Sequence, residues 1–194
     1  MIGIEIDARQ LKRLREATGR AKKNFSKELA AAINATAKKT RLNIGRDIRK
    51  TVNLKKDITE KQIKLAVTAT AETPRAVVSL SKSNRLGLQH FGGRQDKRGV
   101  SYKVAKQGGR KRVAGAFMGP KPGQLAPKLY GGVFKRAGET RLPIVKLYGV
   151  SPFGAYVKND FQDVEVVFIS KGLQAQIERR IKLNILRAEG LVSK

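Results

Sequence analysis

The chain has 194 residues, enough for one domain with extended arms and for burial of most of its surface on folding. Its 42 lysines and arginines against 15 aspartates and glutamates give a formal net charge of +27, a field that attracts polyanions and repels copies of the chain. With no cysteine there are no disulfides or thiolate metal sites, and 40% apolar residues exclude a purely disordered basic tail. No run of about 18 apolar residues occurs. The opening MIGIEIDARQ lacks a basic stretch followed by an apolar one, so neither membrane spanning nor secretion is expected.

In chain order, Ile4 and Ile6 suit a short strand or arm. Asp7 and Gln10 then form a capping box with Ile6 and Leu11 as its staple, which predicts a helix from Ala8 with Leu11 and Leu14 on one side and Gly19 as its stop. The next helix is the clearest. Phe25, Leu29, Ala32, Ile33, Thr36, Ala37, Thr40, Ile44 and Ile48 recur at three- and four-residue steps, predicting a helix from near Phe25 to near Lys50. Gly45 inside it costs about 1 kcal/mol relative to alanine, which allows a bend or a close contact there. Thr59 and Gln62 repeat the capping-box spacing, with Ile58 and Ile63 as staple partners, and mark a short helix or single turn. KLAVTATA and RAVVSLS come next as a hairpin about the turn-forming Glu72-Thr73-Pro74.

From Asn84 to Pro127 the sequence becomes glycine-rich and basic. Within it GVSYKVA and KRVAGAF pair across Lys106 to Arg110, whose glycines tolerate positive φ, and the remainder is expected to be a loop, mobile or ordered by a partner. GGVFKR and LPIVKLYG make a second hairpin, with Pro143 at a strand start or edge. FQDVEVVFIS has strand-forming residues without a clean period and stays open, whereas Leu173, Ile177, Ile181 and Ile185 predict a helix ending near Gly190. These elements predict an α+β fold: a long N-terminal helix packed on a twisted antiparallel β-sheet, with an extended basic loop, arms and a C-terminal helix. Along the chain this divides into an arm with a short helix (1–22), a core (23–156) containing the basic loop (84–127), and a C-terminal helical segment (157–194).

Catalysis finds little material. His90 is the sole histidine, the acidic residues form no DxD, ExK or HxxxD cluster, and the pairs Gly92-Gly93, Gly108-Gly109 and Gly131-Gly132 make no phosphate loop. A non-enzyme without cofactor or metal is expected. The basic run says more: Arg94, Lys97, Arg98, Lys103, Lys106, Arg110, Lys111 and Arg112 face only Asp96. Such a segment neutralises phosphates without reading sequence, or meets an acidic partner; the alternative is a solvated basic loop. Tyr102 is the only aromatic inside the run, flanked by Phe91 and Phe117, so stacking on bases is weakly supported.

An AAAINATAKKTR helix, a basic glycine-rich middle, a GAF tripeptide at Gly115 to Phe117 and then VFKRAGETRLPIVKLYGVSPF occur in an order that resembles the phage and prophage minor tail protein Z family. Arg136, Gly138, Arg141, Leu142, Pro143 and Ile144 match the family's basic residue, glycine and Arg-Leu-Pro-Ile, and Gly149 and Ser151 match its next segment. Val150 stands where the family has proline, and Pro152-Phe153 replaces its Val-Pro step. The resemblance implies a structural virion protein at the head-proximal end of the tail, made in the host cytoplasm and acting in tail completion and head-tail joining. It implies a homo-oligomeric ring around the DNA path, a hexamer being one such ring, with tail-tube, terminator or neck proteins as neighbours, sequence-independent contact with phage DNA and no membrane. On this reading the turn from Ala137 to Arg141 joins two strands of a sheet on the long helix and presents its basic residues to neighbouring subunits or the tail tube. The residues alone leave two other readings: a ribosomal-type RNA-binding protein, and a nuclease or recombination enzyme, for which the acidic cluster is missing.

Overall fold

The computed structural model describes residues 2–4, 25–82, 84–120, 129 and 131–188. The helix expected from Ala8, the stop near Gly190 and positions 121–127 of the glycine-rich segment lie outside the described residues. The described helices are α1 (Phe25–Thr51), α2 (Lys56–Gln62), α3 (Pro152–Lys158) and α4 (Phe161–Ala188). The strands are β1 (Ile2–Ile4), β2 (Ile63–Val67), β3 (Ala76–Leu80), β4 (Arg94–Asp96), β5 (Gly99–Tyr102), β6 (Lys111–Ala114), β7 (Ala116–Met118), β8 (Val133–Arg136) and β9 (Ile144–Lys146). All pairings are antiparallel, and the fold is α+β. The chain forms two compact units, one within Met1–Ile44, Ile63–Leu80 and Asp160–Lys194, the other within Gly45–Gln62 and Ser81–Asn159.

In the first unit α1 buries Leu29, Ala30, Ala32, Ile33, Ala37 and Ile44 along one stripe, as its apolar spacing requires. Thr36 is also buried; its hydroxyl donates to the Ala32 carbonyl at 3.0 Å, so burial leaves it satisfied. The sheet has the order β1-β3-β2. Ala76, Val77 and Val78 of the central strand are all buried, so both of its faces are covered. Asn34 ties α1 to the segment after β2: its amide donates to the Ala69 carbonyl and its carbonyl accepts from the Ala69 amide, both at 2.8 Å.

The segment FQDVEVVFIS is the first part of α4. Three contacts set α4 antiparallel to α1: Asn43 Nδ2 donates to Glu165 Oε1 at 2.9 Å, a Cβ at Gly172 would lie 3.8 Å from Thr36 Cγ2, and Arg180 Nη1 meets Glu28 Oε2 at 2.8 Å. Its helical period was hidden in sequence because the inward position near its start is a glutamate. Glu165 is fully buried, while Val164, Val166 and Val167 are 58%, 63% and 52% exposed.

In the second unit α1 continues unbroken through Gly45 to Thr51. Just beyond its end, Asn53 fastens to the strand region, donating from its amide N–H to the Val104 carbonyl at 2.7 Å and from its side chain to the Lys103 carbonyl at 3.0 Å. Thr59 is no N-cap. It lies inside α2, and its hydroxyl donates back to the Lys55 carbonyl at 2.9 Å; the helix begins three residues earlier, with Asp57 in its first turn. The segment expected to be loop outside its hairpin carries a 3-10 turn, Leu88–Phe91, and strand β4. Buried Leu88, Phe91 and Val100 give it an apolar interior, and glycines at positive φ (Gly92, Gly99) turn it sharply enough to pair. Gly115, with φ 69°, separates β6 from β7 and so the sheet β4-β5-β6 from the sheet β7-β8-β9.

Candidate functional site

Between Ser81 and Asn159, 17 lysines and arginines face two acidic residues, Asp96 and Glu139, which makes this stretch the centre of the chain's positive field. Two sheets organise it. On β4-β5-β6, Arg94 pairs with Ser101 and Ser101 with Arg112, so one row across the sheet reads Arg-Ser-Arg, with its two arginines about 10 Å apart across two strand spacings. The opposite face holds Gln95, Val100 and Val113, and Val100 is fully buried. Alternation therefore turns a basic, solvent-exposed face outward and an apolar face inward.

The eight basic candidates separate into two kinds. Arg110 works inside the fold: its Nη2 donates to the Gly92 carbonyl at 2.5 Å, the Ser101 carbonyl at 3.0 Å and Ser101 Oγ at 3.3 Å. Arg112 pairs with Asp96 at 2.8 Å. No carboxylate among the described residues pairs with Arg94, Lys97, Arg98, Lys103, Lys106 or Lys111; Lys103 is half-buried and the other five are exposed. Their charges are available to an external anion; Arg94 lies on the Ser101 face, Lys111 on the opposite face beside Tyr102 in the register, and the other four outside the strands, a scatter without the fixed donor and acceptor pattern that base reading needs.

The second sheet gathers the residues of the family resemblance. Phe117 pairs with Phe134 and Phe134 with Lys146, one row with Phe117 and Phe134 stacked at 6.0 Å. Arg136, two residues beyond Phe134 on the same face, sets its guanidinium 5.9 Å from the Phe117 ring centre. Ile144 lies opposite Arg136 in the register. The turn between β8 and β9 is closed by the Ala137 amide donating to the Pro143 carbonyl at 3.0 Å, and Thr140 Oγ1 donates to the Leu142 carbonyl at 2.6 Å. Gly138, Arg141, Leu142 and Pro143 are exposed on this turn, and Leu142 is 66% exposed. Phe117, Arg136 and Ile144 thus meet on the sheet, while Gly138, Arg141, Leu142 and Pro143 form its outer tip.

Two members of the face were missed in sequence. Lys146 places its ammonium 5.7 Å from the Tyr148 ring centre, and Tyr148 is half exposed. The signal was the period of two in VFKR and IVKLY, which sets Phe134 with Arg136 and Lys146 with Tyr148. His90 sits in the 3-10 turn of the same unit. Burial lowers its pKa from the ordinary value, the positive charge of Lys146 lowers it further, and Asp57 partly opposes them.

Among the described residues no group of three or more His, Cys, Asp or Glu side chains could hold a metal ion, and no helix is long and apolar enough to cross a membrane. No known protein family matches this chain, and comparisons with curated proteins and with solved structures find no match.

Proposed function

We propose that the protein is a structural component of a phage virion at the head-proximal end of the tail, acting in tail completion and head-tail joining as the subunit of a homo-oligomeric ring. One observation carries this reading: Phe117, Arg136 and Ile144, 27 positions apart from first to last in the sequence, converge on one face of the β7-β8-β9 sheet whose turn is the Arg-Leu-Pro-Ile segment. The available charges of the neighbouring sheet supply the partner chemistry. Arg94, Lys97, Arg98, Lys106 and Lys111 suit a phosphate backbone met without sequence reading, or acidic faces of tail-tube, terminator or neck proteins. Like-charged subunits repel, so such a ring assembles where DNA, acidic neighbours or counterions offset the repulsion.

Infection without this chain tests the proposal. Unjoined heads and tails should accumulate, and fully joined, infectious particles would overturn it. The same charges suit the phosphates of a folded RNA, which makes a ribosomal-type RNA-binding protein the second reading. Co-sedimentation with ribosomes at physiological salt would favour that one.

A further inference from the structure

The outer face of α4 near its start has the wrong polarity for a helix that ends its life in water. Val164 and Val167 on this face are more than half exposed, as is Val166 to one side of it, while the inward residue among them is the buried Glu165, held by Asn43. A helix in solvent normally shows the reverse arrangement, and an exposed apolar strip bounded by charge marks a surface that another molecule covers.

The charges beside the valines identify the cover. Asp163 precedes Val164 on the outward side and Lys171 comes after Val167, both of them exposed. At 100° per residue, Asp163, Val164, Val167, Lys171 and Gln174 fall within one outward strip. Asp163 and Lys171 stand four residues to either side of Val167, so the strip is negative at its N-terminal end and positive at its C-terminal end. A second copy laid antiparallel, with Val167 against Val167, brings each Lys171 to the level of the other copy's Asp163 and leaves the valines between them. A parallel copy would set like charges together.

We infer that the outer face of α4 pairs antiparallel with the same face of a second copy of this chain, about a two-fold axis passing by Val167. This contact is isologous: it joins two copies and does not by itself build a ring, and it stands independently of the tail reading. The strip is short and each copy carries a net charge of +27, so the pairing is weak at low ionic strength and strengthens as salt screens the distant charges.

The absence of cysteine makes the test clean. Helices packed 8–10 Å apart bring residues that face one another across a two-fold axis within the roughly 3.5–4.5 Å Cβ separation of a disulfide. The full chain carrying Val167→Cys, oxidised at physiological salt, should run as a disulfide-linked dimer, whereas Arg179→Cys, exposed on the same helix but far from the axis, should stay monomeric. Adding Lys171→Asp to Val167→Cys sets two carboxylates against each other at both ends of the strip and should slow crosslinking at least tenfold. Adding Asp163→Lys as well should restore most of it, which a mere change in folding would not do. Circular dichroism confirms that each variant keeps its helices. Crosslinking of Val167→Cys no faster than Arg179→Cys, or equal rates with and without Lys171→Asp, would overturn the pairing.

Discussion

At the residue scale, the basic segment shows that one charge can do two kinds of work. Arg110 bridges Gly92 and Ser101 through three hydrogen bonds, so Arg110→Ala should lower the stability of its unit by about 1 kcal/mol even though the side chain is exposed. Arg94→Ala and Lys97→Ala touch no such network and should change stability by less than about 0.5 kcal/mol. Urea midpoints for the three variants check the contrast; equal losses would contradict the division of roles. His90 adds a pH dependence of known sign. Burial and Lys146 hold its folded pKa below the ordinary 6.5, so the unfolded chain takes up the proton first. The stability it contributes is complete above that value and declines as pH falls through it toward the lowered folded value. Between about pH 7.5 and about pH 5.5 the wild type should therefore lose more stability than His90→Gln, and parallel losses would count against the burial assigned to the imidazole.

Elements were legible where one period ruled them. The spacing from Phe25 to Ile48 predicts α1 almost to the residue, and the alternating runs on either side of Glu72 to Pro74 and of Ala137 to Arg141 predict the β2-β3 and β8-β9 pairings. Where a buried residue is polar, the pattern fails: Glu165, bonded to Asn43 of α1, conceals the start of α4, whose exposed valines imitate a strand. Thr59 misled for a related reason, since a threonine that bonds back to Lys55 inside a helix has the same spacing to Gln62 as a cap. The glycine-rich segment reads as loop by composition, yet short strands need only Phe91 and Val100 to bury and a few glycines to turn. The site was legible as a charge run but not as a surface. The register that sets Arg94, Ser101 and Arg112 in a row depends on turns whose geometry no local pattern specifies. Asn34 is the element-scale test of how α1 is anchored: Asn34→Ala removes both bonds to Ala69, a buried residue, and should destabilise the first unit by roughly 1–3 kcal/mol. A denaturant midpoint unchanged from wild type would show that the pairing contributes nothing net.

For the whole molecule, the charge is unevenly spread, and that spread decides what the protein can touch. Reversing Arg94, Lys97, Arg98 and Lys111 to glutamate leaves the hydrogen bonds of Arg110 and Arg112 in place, so the fold should persist. Affinity for duplex DNA of arbitrary sequence should fall at least tenfold, and its logarithmic salt dependence should become shallower by about 3–4, close to 0.9 for each lost phosphate contact. Equal binding of wild type and variant would assign the positive field to solubility instead of to a partner. The central claim is a position within a particle, and imaging tests it most directly. Electron microscopy of virions carrying a tag on this chain should place the label at the joint between head and tail, in a ring around the DNA path. Label absent from the particle, with the protein recovered on RNA, would contradict the account.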